Sequence, residues 1–250
     1  MFVHELSLPN RLRKPREYGI TMVNDVGSYG ISFIEDLLQS VGDYIDIVKL
    51  GIGTAVVTTR LEEKVALFQK YGIRVYFGGT VFEAFLKQDK LSDYEKWMEK
   101  LGISTVEVSS GILNLTVEEK VKYIKRFAKN FTVVSEVGSK DVDNIMPPYL
   151  WVDAISKELD AGAWKVITEG RDEGTVGIYR STQEIRMDLI EEIAYYIPVN
   201  KLIFEAPQHK QQIWFINKFG ANVNLGNIRF DDVLVLETQR VGLRYDTFIL

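Results

Sequence analysis

The feature that most constrains this chain is a unit that recurs along it: an amphipathic stretch, a glycine, a short β-branched run and a second small-residue cluster. It reads LLQSVGDYIDIVKLG at 37–51, LFQKYGIRVYFGG at 67–79 and WMEKLGISTVEVSSG at 97–111, and returns as SKELDAGAWKVITEG at 156–170 and FINKFGANVNLG at 215–226. The first glycine of each (Gly42, Gly72, Gly102, Gly162, Gly220) suits the left-handed residue that ends a helix. The Val-, Ile- and Tyr-rich runs that follow have strand length. Three further runs, ITMVND near 20, FTVVSEVG near 131 and KLIFEAP near 201, bring the number of strands to eight. That is about 31 residues per unit, enough for a strand, a helix and two short loops.

The intervening segments carry helical periodicity. Leu61, Val65 and Phe68 fall at i, i+4 and i+7, and Val117, Val121, Ile124 and Phe127 form a stripe opened by a Thr116–Glu119 capping box. Strict alternation without a linker predicts one α/β domain over 1–250, a (β/α)8 TIM barrel with an N-terminal arm at 1–17. A nucleotide-binding open sheet is the weaker alternative: Gly51-Ile52-Gly53-Thr54-Ala55-Val56 fails the dinucleotide pattern at its last position, and no Walker A motif occurs.

In a barrel of this type chemistry sits at the C-terminal ends of the strands. Those ends supply Asn24-Asp25, Lys49, Gly78-Gly79-Thr80, Glu107, Glu136, Glu169-Gly170-Arg171, Glu205 and Asn224. Four consecutive strands thus end near a glutamate. Pointed outward beneath the helices, such a charge would be buried and unpaired, so the glutamates are expected to face the mouth. Converging carboxylates must share a cation, a proton or basic partners, and Lys49, Lys140 and Arg171 are the bases nearby. The chain has no cysteine and only two histidines, His4 and His209. A metal here must therefore be oxygen-held, which means Mg²⁺, Ca²⁺ or Mn²⁺. A ring of structural salt bridges around the mouth is the competing reading.

Other signals are weaker. Gly51/Gly53 and Gly78-Gly79 can present backbone N–H groups to an anion, although tight turns use glycine anyway. His209 reads as a surface residue and His4 as part of the arm. Trp214, Phe215 and Phe219 read as core. The run Lys120, Lys122, Lys125, Arg126 and Lys129 reads as a solvated helix face, with Glu118 and Glu119 beside it. A formal net charge of -5 argues against a nucleic-acid partner. No stretch has the length of a signal peptide or a membrane span, so no membrane partner and a cytoplasmic location are expected.

DYIDIVKLGIGTA (43–55), YFGGTVFE (76–83), SEVGSKD (135–141), ITEGRDEG (167–174), IFEAP (203–207), NVNLGNI (222–228) and ETQRVGLRYDTF (237–248) occur in this order through nearly the whole chain. Together they resemble the phosphosulfolactate synthase family, and SEVGSKD with the ending RYDTFIL is similar to its bacterial branch. The resemblance implies a TIM barrel and a Mg²⁺-dependent addition of sulfite to phosphoenolpyruvate, giving (2R)-phospho-3-sulfolactate. In methanogens that reaction opens coenzyme M biosynthesis; in bacteria it leads to sulfolactate.

On this resemblance Lys140 is the proton donor, Glu107, Glu136 and Glu169 hold the metal, and Lys49, Gly78, Gly79, Arg171, Arg240 and Arg244 bind the anionic substrates. An ion pair with Asp141 is the alternative role for Lys140. A homo-oligomer is expected. The chain departs from the family pattern in three loops. Asp25-Val26-Gly27 stands where Asp-Lys-Gly or Asp-Asn-Gly is usual, Ile52 and Ala55 replace Trp and Ser, and Ser110 replaces Asp or Asn. These departures leave two alternatives open: a different phosphorylated three-carbon acid or nucleophile, or a non-catalytic binding descendant.

Overall fold

Eight strands of the expected alternation form one parallel sheet in a computed structural model that describes residues 6–139 and 145–248. In chain order they are β1 (Thr21–Asp25), α1 (Ile31–Val41), β2 (Ile47–Leu50), α2 (Thr54–Val57), α3 (Leu61–Lys70), β3 (Arg74–Phe77), α4 (Gly79–Lys87), α5 (Leu91–Lys100), β4 (Thr105–Val108) and α6 (Val117–Phe127). The second half comprises β5 (Thr132–Val137), α7 (Pro148–Asp160), β6 (Ala163–Thr168), α8 (Met187–Tyr196), β7 (Leu202–Glu205), α9 (His209–Phe219), β8 (Leu225–Ile228) and α10 (Val233–Arg240). The strand order β3-β2-β1-β8-β7-β6-β5-β4 is that of a (β/α)8 TIM barrel closed except for a regular ladder between β3 and β4. A side-chain bond crosses that seam, from the Gly79 N–H to Glu107 Oε1 at 2.7 Å.

The pleat divides the apolar residues into two sets. Ile20, Met22, Ile47, Tyr76, Val134, Ile167 and Ile203 fill the barrel interior. A larger cluster, including Val23, Val48, Phe77, Val106, Val166 and Phe204, packs between sheet and helices. Trp214, Phe215 and Phe219 join it as expected, with Phe215 and Phe219 stacked on Phe204. The Thr116–Glu119 capping box forms with both of its hydrogen bonds.

Gly72, Gly102, Gly162 and Gly220 adopt positive φ after their helices, but Gly42 does not. It begins a 3-10 turn at φ -56, because the chain tightens there instead of reversing through a left-handed residue. The arm crosses the N-terminal end of the barrel. Arg11 binds Glu237 at 2.8 Å and Arg16 binds Asp46 at 2.8 Å, while Lys14 donates to Gly42 O and Tyr71 O. Among the described residues no helix is long and apolar enough to cross a membrane.

Candidate active site

Lys49, the third residue of β2, points into the barrel mouth and is buried among carboxylates. Its Nζ lies 3.1 Å from Glu107 Oε2, 3.2 Å from Glu136 Oε2 and 3.8 Å from Glu205 Oε1. These come from β4, β5 and β7, so one cation ties together three strands that are distant in sequence. Burial pushes the Lys49 pKa down, but Glu107, Glu136, Tyr76 and Glu205 outweigh it and hold the ammonium well above the ordinary lysine value. The strand-end glutamates face inward, as the cost of an outward buried charge requires.

Backbone N–H groups also hold three of these glutamates. Glu107 accepts from Gly79 N, Glu205 accepts from Gly170 N at 2.8 Å, and Glu169 accepts from Arg171 N at 2.8 Å. Tyr179 donates its hydroxyl to the Glu205 carbonyl. Two glycines leave no room for a side chain around these groups. A Cβ on Gly79 would lie 1.7 Å from Ser109 Oγ, and one on Gly177, at φ +62, would lie 2.0 Å from Glu169 O.

One carboxylate oxygen from each of Glu136, Glu169 and Glu205 falls within 4.8 Å of the other two. Three carboxylate oxygens at this spacing could hold a hard divalent cation. Glu136 and Glu169 of the expected ligands fall in this trio and Glu205 completes it, whereas Glu107 is turned to Lys49 and the Gly79 N–H. The trio opens into a cavity of about 280 Å³ that is also lined by Lys49, Gly78, Gly79, Glu107, Arg171, Ile52 and Asn227. A wider groove adjoins it, and Asn24, Asp172 and Asn227 line both. Asn24 Nδ2 donates to Asp172 Oδ1 at 2.8 Å, bridging the end of β1 and the loop after β6.

Several expectations need correction. Gly78 and Gly79 line the cavity, but their N–H groups go to Leu50 O and Glu107 Oε1 and are not presented to an anion. Arg240 is buried at the opposite end of the barrel, where it donates to Ala221 O, Val223 O and Ile20 O. Arg244 follows α10 on that same side, where Asn217 near the end of α9 donates to Asp246 O. A helix running back from the mouth carries its last residues away from it. Asn224 also lies at the far end, bonded to Ile20 N and Leu202 O, because β8 begins one residue later. Asn227 stands at the mouth instead, at φ +54.

Asp25 points outward and pairs with Lys64 of α3 at 2.6 Å; burial raises its pKa despite that partner. Lys120 is not solvated. It lies on the inner stripe of α6, bonded to Glu158 Oε1 and to Glu136 O, each at 2.6 Å. His209 is half-exposed and lies 3.0 Å from Asp232. Lys140, Asp141 and His4 lie outside the described residues.

Two contributors went unrecognised in the sequence. Glu83 of α4 accepts from the N–H groups of Gly111, Ile112 and Leu113 at 2.8, 2.7 and 2.6 Å. It thereby clamps the loop after β4, which walls the cavity with Gly111 and Ile112. Lys120 supports the main chain of Glu136 from behind. Both occupy inner helix faces, and a polar residue interrupting an apolar stripe is the signal that marks them.

Comparison with known proteins adds a second line of findings. Residues 9–246 match the family model of (2R)-phospho-3-sulfolactate synthase. The chain is 43% identical over 248 residues to the phosphosulfolactate synthase of Bacillus subtilis, covering 98% of each. It is 43% identical over 236 residues to that of Methanocaldococcus jannaschii, covering 92% of this chain and 94% of the relative. Among solved structures, a phosphonopyruvate hydrolase in complex with oxalate and Mg²⁺ superposes with a TM-score of 0.56 at 10% identity, over 86% of this chain and 77% of that one. At that identity the likeness is one of fold.

Proposed function

This chain belongs to the (2R)-phospho-3-sulfolactate synthase family, and we propose that it joins sulfite to phosphoenolpyruvate with the help of Mg²⁺. In that reaction the sulfur lone pair forms a C–S bond at C3 of the enol phosphate, negative charge moves onto C2 and the carboxylate, and a proton is delivered to C2. The phosphate ester stays in place. The reaction is of the carbon–sulfur lyase class, run in the synthetic direction.

The observation that carries this reading is the convergence of Glu136, Glu169 and Glu205 beside Lys49 in a cavity at the barrel mouth. Three carboxylates of matched spacing, without sulfur or imidazole, suit Mg²⁺. Bound by them, the cation supplies electrostatic stabilisation of the charge that develops on the substrate carboxylate. The protein's own groups then have distinct tasks. Lys49 and Arg171 offer positive charge to the substrate anions. Glu107, fixed by the Gly79 N–H, keeps the Lys49 ammonium within the mouth. Lys140, by its place in SEVGSKD, is the proton donor to C2.

The direct test mixes folded protein with sulfite, phosphoenolpyruvate and Mg²⁺ and looks for phosphosulfolactate by mass. Product that disappears with EDTA supports the proposal; its absence across a range of substrate concentrations overturns it. A second reading, addition of another nucleophile or use of another phosphorylated three-carbon acid, is favoured by Ile52. This residue lines the cavity where the family pattern has a Trp. Small phosphorylated acids that raise the melting temperature more than phosphoenolpyruvate does would favour that reading.

A further inference from the structure

We propose that Lys49 is an exchangeable counter-ion, which holds the carboxylate cluster together without a divalent cation and releases Glu136 and Glu205 when one binds. This rests on the reading that Glu136, Glu169 and Glu205 hold the cation. Its content is different: metal and anionic substrate bind cooperatively, because the metal frees the charge that the substrate needs.

The argument starts from the overlap of two ligand sets. Glu136 and Glu205 belong both to the carboxylate trio and to the partners of Lys49. A carboxylate oriented toward a divalent ion gives less to an ammonium, since like charges on either side of it repel. Lys49 and the cation therefore compete. Glu107 belongs only to the Lys49 set, and its other oxygen is anchored by Gly79 N at 2.7 Å. Lys49 thus has one fixed tether and two partners that can be withdrawn, the looser being Glu205 at 3.8 Å.

An ammonium on a flexible stem is a point charge with no fork to satisfy, so it can turn about such a tether at little cost. In the cation-free cluster its charge is shared among three carboxylates and attracts an anion weakly. With two of them on the metal, most of that charge faces the cavity. By linkage the effect is reciprocal, and the substrate anion must tighten the metal by the same factor.

Calorimetry tests this with Mg²⁺ titrated into EDTA-treated, dialysed parent, Lys49→Met and Lys49→Arg, and with phosphoenolpyruvate titrated with and without Mg²⁺. In the parent each ligand should tighten the other. Lys49→Met should bind Mg²⁺ about tenfold tighter or more, since a buried competing charge is gone, and should lose the coupling. Lys49→Arg, which keeps the charge, should stay closer to the parent in Mg²⁺ affinity.

Lys49→Met should also melt lower than the parent in EDTA and gain more from Mg²⁺. Metal-dependent folding of this variant is the extreme form of the same result. Should it not fold even in Mg²⁺, Glu107→Gln decides: Lys49 then has only the metal's own ligands, so Mg²⁺ must bind more weakly than in the parent. Equal or weaker Mg²⁺ binding by folded Lys49→Met, or unweakened binding by Glu107→Gln, overturns the exchange. A parent that binds no Mg²⁺ overturns the metal reading itself.

Discussion

Lys120 Nζ sits 2.6 Å from Glu158 Oε1 and 2.6 Å from the Glu136 carbonyl, so a buried ion pair between α6 and α7 is bolted to the strand that carries a candidate metal ligand. Removing one partner leaves a buried charge without compensation. Lys120→Met is expected to cost about 3–5 kcal/mol in urea denaturation. Burial already raises the Glu158 carboxyl above the ordinary value, against the pull of Lys120. Without the lysine it rises further, and the stability tied to its protonated form is lost as pH climbs. The deficit of the variant should therefore grow from acidic to neutral pH; a pH-independent deficit would contradict this account.

Glu83 provides a test of the loop after β4. Its carboxylate accepts three N–H groups from 111–113, and an amide presents only one oxygen to them. Glu83→Gln should lose about 1–3 kcal/mol and raise KM more than it lowers kcat, because Gly111 and Ile112 wall the cavity without belonging to the carboxylate cluster. A variant with parental stability and parental KM would show that the clamp is dispensable.

Lys140→Met should remove turnover while phosphoenolpyruvate still binds. Positioned acid catalysis contributes roughly 10²–10⁴-fold, and Lys49 and Arg171 remain to hold the anions. If kcat is kept and only KM rises, Lys140 binds an anion and donates no proton.

Of the four loop departures, Ile52 lines the cavity and Val26 the adjoining groove, while Ala55 is buried and Ser110 donates to Leu115 O within its own loop. Combining Val26→Lys, Ile52→Trp, Ala55→Ser and Ser110→Asn should therefore do no more for sulfite addition than Ile52→Trp alone. If this loop governs nucleophile choice, the shared change in kcat/KM should be about tenfold. A combined variant well above the single one would move the determinant elsewhere.

Lys165, inward on β6 and bonded to Asn200 O, has its pKa pushed down by burial to about 8 from 10.5. Between those values the folded chain has released a proton that the unfolded chain still holds. Stability from this group is thus absent below pH 8 and gained as pH rises through that window. Denaturation of the parent and Lys165→Met at pH 7.5 and pH 10 should show the parent gaining relative to the variant. A constant difference would mean that this lysine does not titrate there.

Within the sequence alone, period and punctuation determined the elements. β-branched runs, capping residues and turn glycines act within a few residues of themselves, so eight strands, the helices between them and the inward glutamates were legible without knowing what packs on what. Tertiary structure decided everything that depends on which end and which neighbour. Arg240 and Asn224 moved to the far side because α10 runs away from the mouth and β8 starts at Leu225. Lys120 moved inward because a basic run also has a helical phase, and its partner lies on another helix. Glu205 completed the candidate metal trio, and Glu107 turned to Lys49, because carboxylate spacing across strands is set by barrel register, a distance that no local pattern encodes.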